Sequence, residues 1–162
     1  ELDLKTTNKL YPNMLYDGVV HQNNPKLFFI GMQDQWYTFN MFDAQAWYIR
    51  DVILGKIELP SKQDMMHSIA SWQYEECILG VEDEDKIRFQ ADYLKYMLGM
   101  TDLNNFDIES VVFCFFDWEH NKEEDIMTFR DKPHRSVITN TMGTVHHTPW
   151  LREYNDTIEN FI

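Results

Sequence analysis

The chain has 162 residues, of which 44% are hydrophobic and 15% aromatic, with 27 acidic against 14 basic side chains and a net charge of −13. This balance argues against a nucleic-acid or anionic-membrane surface, and the aromatic content argues against disorder over most of the length. No stretch is long and apolar enough to span a bilayer, and Glu1-Leu-Asp-Leu4 lacks the basic start and apolar run of a secretory signal, so a cytoplasmic protein is expected.

In chain order, residues 1–22 read as extended, with two short strands around a turn at Tyr11-Pro-Asn13. Asn23-Asn24-Pro25 is a second turn. Lys26-Leu-Phe-Phe-Ile30 is apolar at consecutive positions, the pattern of a strand buried on both faces of a parallel sheet. An amphipathic helix follows to about Val52. Its predicted apolar stripe holds Phe39, Phe42, Ala46, Ile49 and Ile53, widened by Met41, Ala44 and Tyr48. Gly55 and Lys56 stop it. Ser61, with Asp64 three residues on, is placed to cap a helix over 62–78. The acidic run Glu82-Asp-Glu-Asp85 opens another over 83–98, with Phe89, Tyr93, Tyr96 and Met97 on one side. Ile108, Val111, Val112, Phe115 and Phe116 have helical spacing, so residues 107–118 are expected to be helical despite their β-branched content. Residues 119–150 read as irregular, and Trp150–Ile162 as a closing amphipathic helix. Cys77 and Cys114 match no zinc or redox spacing and are expected to be buried thiols.

The most informative stretch is Gly31 to Trp47, GMQDQWYTFNMFDAQAW. A Gly turn loaded with amides leads into a helix start, where unpaired N–H groups carry partial positive charge and face electron-rich ligands. No glycine-rich phosphate loop occurs anywhere in the chain. Composition changes near Pro60, from the end of an α/β domain (residues 1–60) to a charged, mostly helical extension (61–162). One central strand cannot form a sheet, so the chain reads as part of something larger.

Asn24-Pro25-Lys26-Leu27-Phe28-Phe29-Ile30-Gly31, the Gln-rich turn, Gln45-Ala46-Trp47, Gly55 and Leu59-Pro60-Ser61 resemble the distal part of flavin-containing monooxygenases, most closely their bacterial trimethylamine-oxidising group. Met100-Thr101-Asp102, Phe106-Asp107-Ile108, Glu124 to Asp131 and His146-His-Thr-Pro-Trp150 extend that likeness along nearly the whole chain. The resemblance implies the C-terminal strand and helix of a FAD-binding Rossmann-like α/β domain, followed by a mostly helical extension. It implies an enzyme using FAD and NADPH, in which a C4a-hydroperoxyflavin converts trimethylamine to its N-oxide with O2. Both glycine fingerprints for the dinucleotides are absent and would lie upstream, in a missing N-terminal FAD- and NADP-binding portion. A homodimer is also expected.

On that resemblance Gln35 and then Gln33 are candidate FAD contacts, since an amide both donates and accepts, as the polar edge of an isoalloxazine requires. Thr38 joins them at the helix start. Asp34 and Trp36 are the candidate catalytic residues. A carboxylate attracts a protonated amine and helps remove its proton, and an aromatic wall of Trp36 and Tyr37 suits a methylated cation. Arg130 is a candidate for the NADP phosphate or ribose, against an ion pair with Asp131 or Glu124. No metal is expected: neither His146-His147 nor His120 with Glu119 and Glu123 completes a ligand set. The alternatives are a non-catalytic helical binding or assembly domain, or S-oxidation or Baeyer–Villiger oxidation on the same scaffold.

Overall fold

The structure, a computed structural model, describes residues 9–103, 107–133, 135–136 and 139–142. Its elements are β1 (Leu15–Tyr16), β2 (Val20–His21), α1 (Thr38–Ile53), α2 (Lys62–Cys77), α3 (Asp83–Gly99), α4 (Ile108–Glu124) and a short 3-10 turn, Phe129–Asp131. The chain divides into two compact units, Glu1–Val112 and Phe113–Ile162. The expected helix over Trp150–Ile162, the residues before Lys9 and His146-His147 lie outside the described residues.

β1 and β2 form an antiparallel hairpin, with Leu15 opposite His21 and Tyr16 opposite Val20. The turn is made by Asp17 (φ 50°) and Gly18 (φ 69°), not by Tyr11-Pro-Asn13. Asp-Gly reaches positive φ cheaply, and this stronger local signal decides where the chain reverses. The expected buried parallel strand over Lys26–Ile30 is not formed. Phe28 makes a single antiparallel bridge to Val20, and Ile30 is 48% exposed. An unbroken apolar run specifies burial but not a partner, and here the neighbouring strand is the preceding hairpin. The turn at Asn23-Asn24-Pro25 is present, closed by Asn24 N–H to His21 O and Leu27 N–H to Asn24 O, both 2.9 Å.

α1 matches the expected extent and buries Met41, Ala44, Tyr48 and Ile49 of the expected stripe, but not its Phe39 and Ile53. Met41, Ala44, Gln45, Tyr48, Ile49 and Asp51 are buried, whereas Phe39 is 80% and Ile53 67% exposed. The buried stripe is rotated because two polar residues, Gln45 and Asp51, belong to it. Gly55, at φ 71°, ends the helix in the left-handed conformation that stops helices. Ser61 caps α2 as expected, its Oγ accepting from the Asp64 N–H at 3.2 Å. Asp83, Glu84 and Asp85 occupy the first turn of α3, where their charge complements the helix dipole. α4 is helical, as expected, and runs on to Glu124.

In the first unit α1 packs on α3, and α2 lies against β1. The core between them is aromatic. Trp72 stacks flat on Tyr11 (centroids 5.6 Å, 5°) and meets Phe89, Tyr93 and Tyr96 edge-on, the two arrangements favoured by ring quadrupoles. In the second unit Trp118 meets Phe129 edge-on at 5.1 Å. Both thiols are free, but they are not buried: Cys77 is exposed and Cys114 half-buried. No helix among the described residues is long and apolar enough to cross a membrane.

Candidate functional site

The site is the irregular segment from Gly31 to Tyr37 that enters α1. It forms no ladder with a strand. Instead two buried glutamine side chains hold it. Gln45, on α1, accepts from the Gly31 N–H at 2.8 Å and donates from Nε2 to Gln33 Oε1 at 2.7 Å and to Tyr93 Oη at 3.0 Å. Gln90, on α3, accepts from the Trp36 N–H at 2.8 Å and donates from Nε2 to the Asp34 carbonyl. The Asp34 N–H donates to Lys9 O at 2.9 Å. Gly31 has φ 73°, and a Cβ there would lie 2.3 Å from Phe42 Cε1, so no other residue fits without displacing that ring.

Behind the segment sits a buried carboxylate. Asp17 is fully buried and accepts hydrogen bonds from Tyr48 (2.6 Å to Oδ2) and Tyr96 (3.0 Å to Oδ1), while its carbonyl accepts from Tyr93 at 2.8 Å. Burial pushes the Asp17 carboxyl above the usual carboxylate range, and the tyrosine hydroxyls, Tyr48 foremost, pull it back. The same burial, reinforced by the Asp17 charge, raises the Tyr48 phenol far out of the physiological range, so it serves as a donor. A continuous relay thus runs from Asp17 through Tyr93 and Gln45 to Gln33 and Gly31.

The structure brings Gln33, Asp34, Gln35, Trp36 and Thr38 together on one short segment. Gln33 is 5% exposed and turned inward: its Oε1 is held by Gln45, and its Nε2, beside Gly18, has no hydrogen-bond partner. Gln35 is half-buried, and its Oε1 is likewise buried without a partner. Asp34 has its backbone fixed on both sides and its side chain exposed. Trp36 is half-buried, and Thr38 is exposed in the first turn of α1, which carries no acidic side chain. Arg130 lies in the second unit, exposed, with its guanidinium 4.7 Å from the centroid of the Phe129 ring. Glu124, considered as its ion-pair partner, is bound instead by Lys132 (3.2 Å) and His120 (3.3 Å). Among the described residues no group of three or more His, Cys, Asp or Glu is placed to hold a metal ion.

Reasoning from sequence missed Gln45, Gln90, Asp17 and Tyr93, which do the holding. The available signal was a polar residue inside an otherwise apolar helical stripe. A buried amide costs free energy unless it is satisfied, so such a residue points to a specific partner.

The sequence of this segment and the fold around it recur in known proteins. The chain is 48% identical over 165 aligned residues to a trimethylamine monooxygenase of Roseovarius nubinhibens, a match covering 100% of this chain and 36% of that protein. It is 46% identical to the trimethylamine monooxygenase of Pelagibacter ubique, again over 100% of the chain and 36% of the relative. A flavin-containing monooxygenase of Arabidopsis thaliana, FMO GS-OX3, is 27% identical over 59% of this chain and 21% of its own length. The crystal structure of Tmm from a Pelagibacter species superposes with a TM-score of 0.86 at 45% identity, over 99% of this chain and 36% of that one. No protein-family model matches. Along its whole length the chain is homologous to trimethylamine monooxygenases, and it spans 36% of the length of the two relatives named first.

Proposed function

We propose that this chain is the flavin-facing, carboxyl-terminal part of an FAD- and NADPH-dependent monooxygenase that oxidises trimethylamine to trimethylamine N-oxide. The observation that carries the reading is the orphaned side-chain oxygen of Gln35, a buried acceptor without a partner on a segment whose Gly31, Asp34 and Trp36 backbone groups are tied down. A buried acceptor left unmade costs about 1–3 kcal/mol, and a group presenting an N–H between carbonyls, as a flavin ring does, relieves it. The residues therefore fit a flavin.

Bound there, a flavin supplies the electrons, drawn from NADPH, that activate O2; one oxygen atom goes to the amine nitrogen and the other to water. The chain's own residues do the rest. Gln35 and Thr38 hold the ring's polar edge, and Gln33, turned inward onto Gln45, fixes the segment behind them. The N-terminal N–H groups of α1 favour negative charge beside them by typically ~0.3–1 kcal/mol. The exposed Asp34 carboxylate draws in the protonated amine and passes its proton on to solvent, freeing the nitrogen lone pair. Trp36 offers an aromatic face to the methyl groups. Arg130 pairs with the NADPH phosphate. The full-length protein is active in the cytoplasm as a homodimer.

The test is to purify the full-length protein and measure bound flavin, then NADPH consumption with trimethylamine, dimethyl sulfide and a cyclic ketone. Bound FAD and N-oxide formed with trimethylamine support the reading. A colourless protein that binds no added FAD overturns it.

A further inference from the structure

We propose that Gln90 is a positioning residue for the flavin site: its single carboxamide fixes the two peptide planes on either side of Gln35 and so aims the Gln35 side chain. This rests on the reading of Gln35 as a flavin contact. Gln90 sits in α3 beside Phe89 and Ala91, on the same buried face as Ile87, Tyr93 and Leu94, and is only 1% exposed. A polar amide in such surroundings is costly unless both its ends are satisfied. Both ends go to the site segment and nowhere else. Oε1 takes the Trp36 N–H at 2.8 Å, and Nε2 gives to the Asp34 carbonyl.

The geometry has a specific consequence. The Asp34 carbonyl belongs to the peptide before the Gln35 Cα, and the Trp36 N–H to the peptide after it. One rigid planar group that binds both sets φ and ψ of Gln35 together. The amide's orientation is also fixed, because an N–H meets only the oxygen end and a carbonyl only the nitrogen end. The bracket does what a neighbouring β-strand would do, and it does so where the described residues form no ladder. It leaves Gln35 Oε1 as the one buried side-chain oxygen in the segment with nothing to accept from. Gln90 touches no ligand in this scheme; it acts through Gln35.

The test uses the full-length protein with FAD affinity measured by equilibrium dialysis, alongside hydrogen exchange at the Trp36 amide. Q90M keeps the side chain's length and removes both hydrogen bonds. It is expected to lose protection at the Trp36 amide and to weaken FAD binding about tenfold, the order of one lost hydrogen bond to a ring held in place. Q35A is expected to weaken FAD binding similarly. The double variant Q35A/Q90M should bind no more weakly than Q35A alone, because Gln90 has nothing left to aim. Additive losses, or unchanged FAD affinity in Q90M, overturn the role assigned to Gln90 while leaving Gln35 as a flavin contact. Unchanged affinity in Q35A overturns both. Where Q90M does not fold, Q90E carries the same comparison, since it keeps the acceptor for Trp36 and removes the donor to Asp34; additivity with Q35A again overturns the proposal.

Discussion

Replacing Tyr48 by Phe isolates a single hydrogen bond in the network behind the site. The ring is 1% exposed and stays in place, so packing is unchanged; only the hydroxyl that donates 2.6 Å to Asp17 Oδ2 is lost. Asp17 is fully buried, so bulk solvent does not reach in to replace it. A hydrogen bond to a charged group contributes about 1.5–3 kcal/mol, so Y48F should lose about 2 kcal/mol of stability at neutral pH. The sign of the pH dependence follows from burial, which raises the folded-state pKa of Asp17. A raised value means the folded state holds the proton more tightly than the unfolded chain. The cost of keeping Asp17 charged is therefore absent below the unfolded value of about 3.9 and grows as pH rises through the folded value.

Because Tyr48 stabilises the charged form, Y48F raises the folded-state pKa further and steepens that dependence. At a pH low enough for the folded protein to hold the Asp17 proton, the bond is a neutral one and its loss should fall to about 1 kcal/mol. The assay is urea unfolding of wild type and Y48F at neutral and acidic pH, reading the midpoint at constant m. Repeating it in a D17N background should abolish the difference between the two pH values. An equal loss at both pH values in the Asp17 protein, or a loss below about 0.5 kcal/mol at neutral pH, would refute the placement of a charged carboxylate at the end of this bond.

Three further outcomes follow. Gly31→Ala puts a methyl group 2.3 Å from Phe42 Cε1 at φ 73°, and should cost about 2–3 kcal/mol in urea unfolding from left-handed strain plus displacement of the ring; a loss below about 1 kcal/mol counts against the turn described. Trp72→Ala removes the flat stack on Tyr11 and three edge contacts, and should cost about 3 kcal/mol by the same assay, whereas Phe at this position should recover most of it. Asp34→Ala removes an exposed carboxylate whose backbone is held independently, so stability should change by less than about 0.5 kcal/mol. In the full-length enzyme the same change should raise the trimethylamine KM more than the NADPH KM, and equal effects on both remove Asp34 from the substrate path.

The helices were legible because their signals are local. Ser61 with Asp64, the acidic start of α3 and Gly55 after α1 each fix a boundary within a turn of the chain. The extended region was not legible in the same way. A strand's partner is a non-local choice, and Lys26–Ile30 was assigned a parallel sheet that the described residues do not contain, while Asp17-Gly18 outcompeted Tyr11-Pro-Asn13 for the reversal. The face of α1 was misjudged in part, for a related reason: Met41, Ala44, Tyr48 and Ile49 are buried as expected. Scoring only apolar residues placed Phe39 and Ile53 inward; the structure exposes both and buries Gln45 and Asp51.

That error and the missed half of the site have one physical cause. Gln45 and Gln90 are polar, so periodicity assigns them to solvent, yet each is 1% exposed or less. A carboxamide offers one donor end and one acceptor end at fixed separation, the same complement as one rung of a β-ladder. Helices cannot pair by backbone with an extended segment, because their own N–H and C=O groups are already used. A glutamine projecting from a helix restores that capacity at one point. Two of them, on α1 and α3, hold Gly31, Gln33, Asp34 and Trp36. The segment can then leave Gln35 uncommitted without becoming loose, which is what a binding edge outside a sheet requires. The residues that make the site rigid are thus those that hydrophobic patterning discards, and a buried glutamine inside an apolar stripe is the sign to look for.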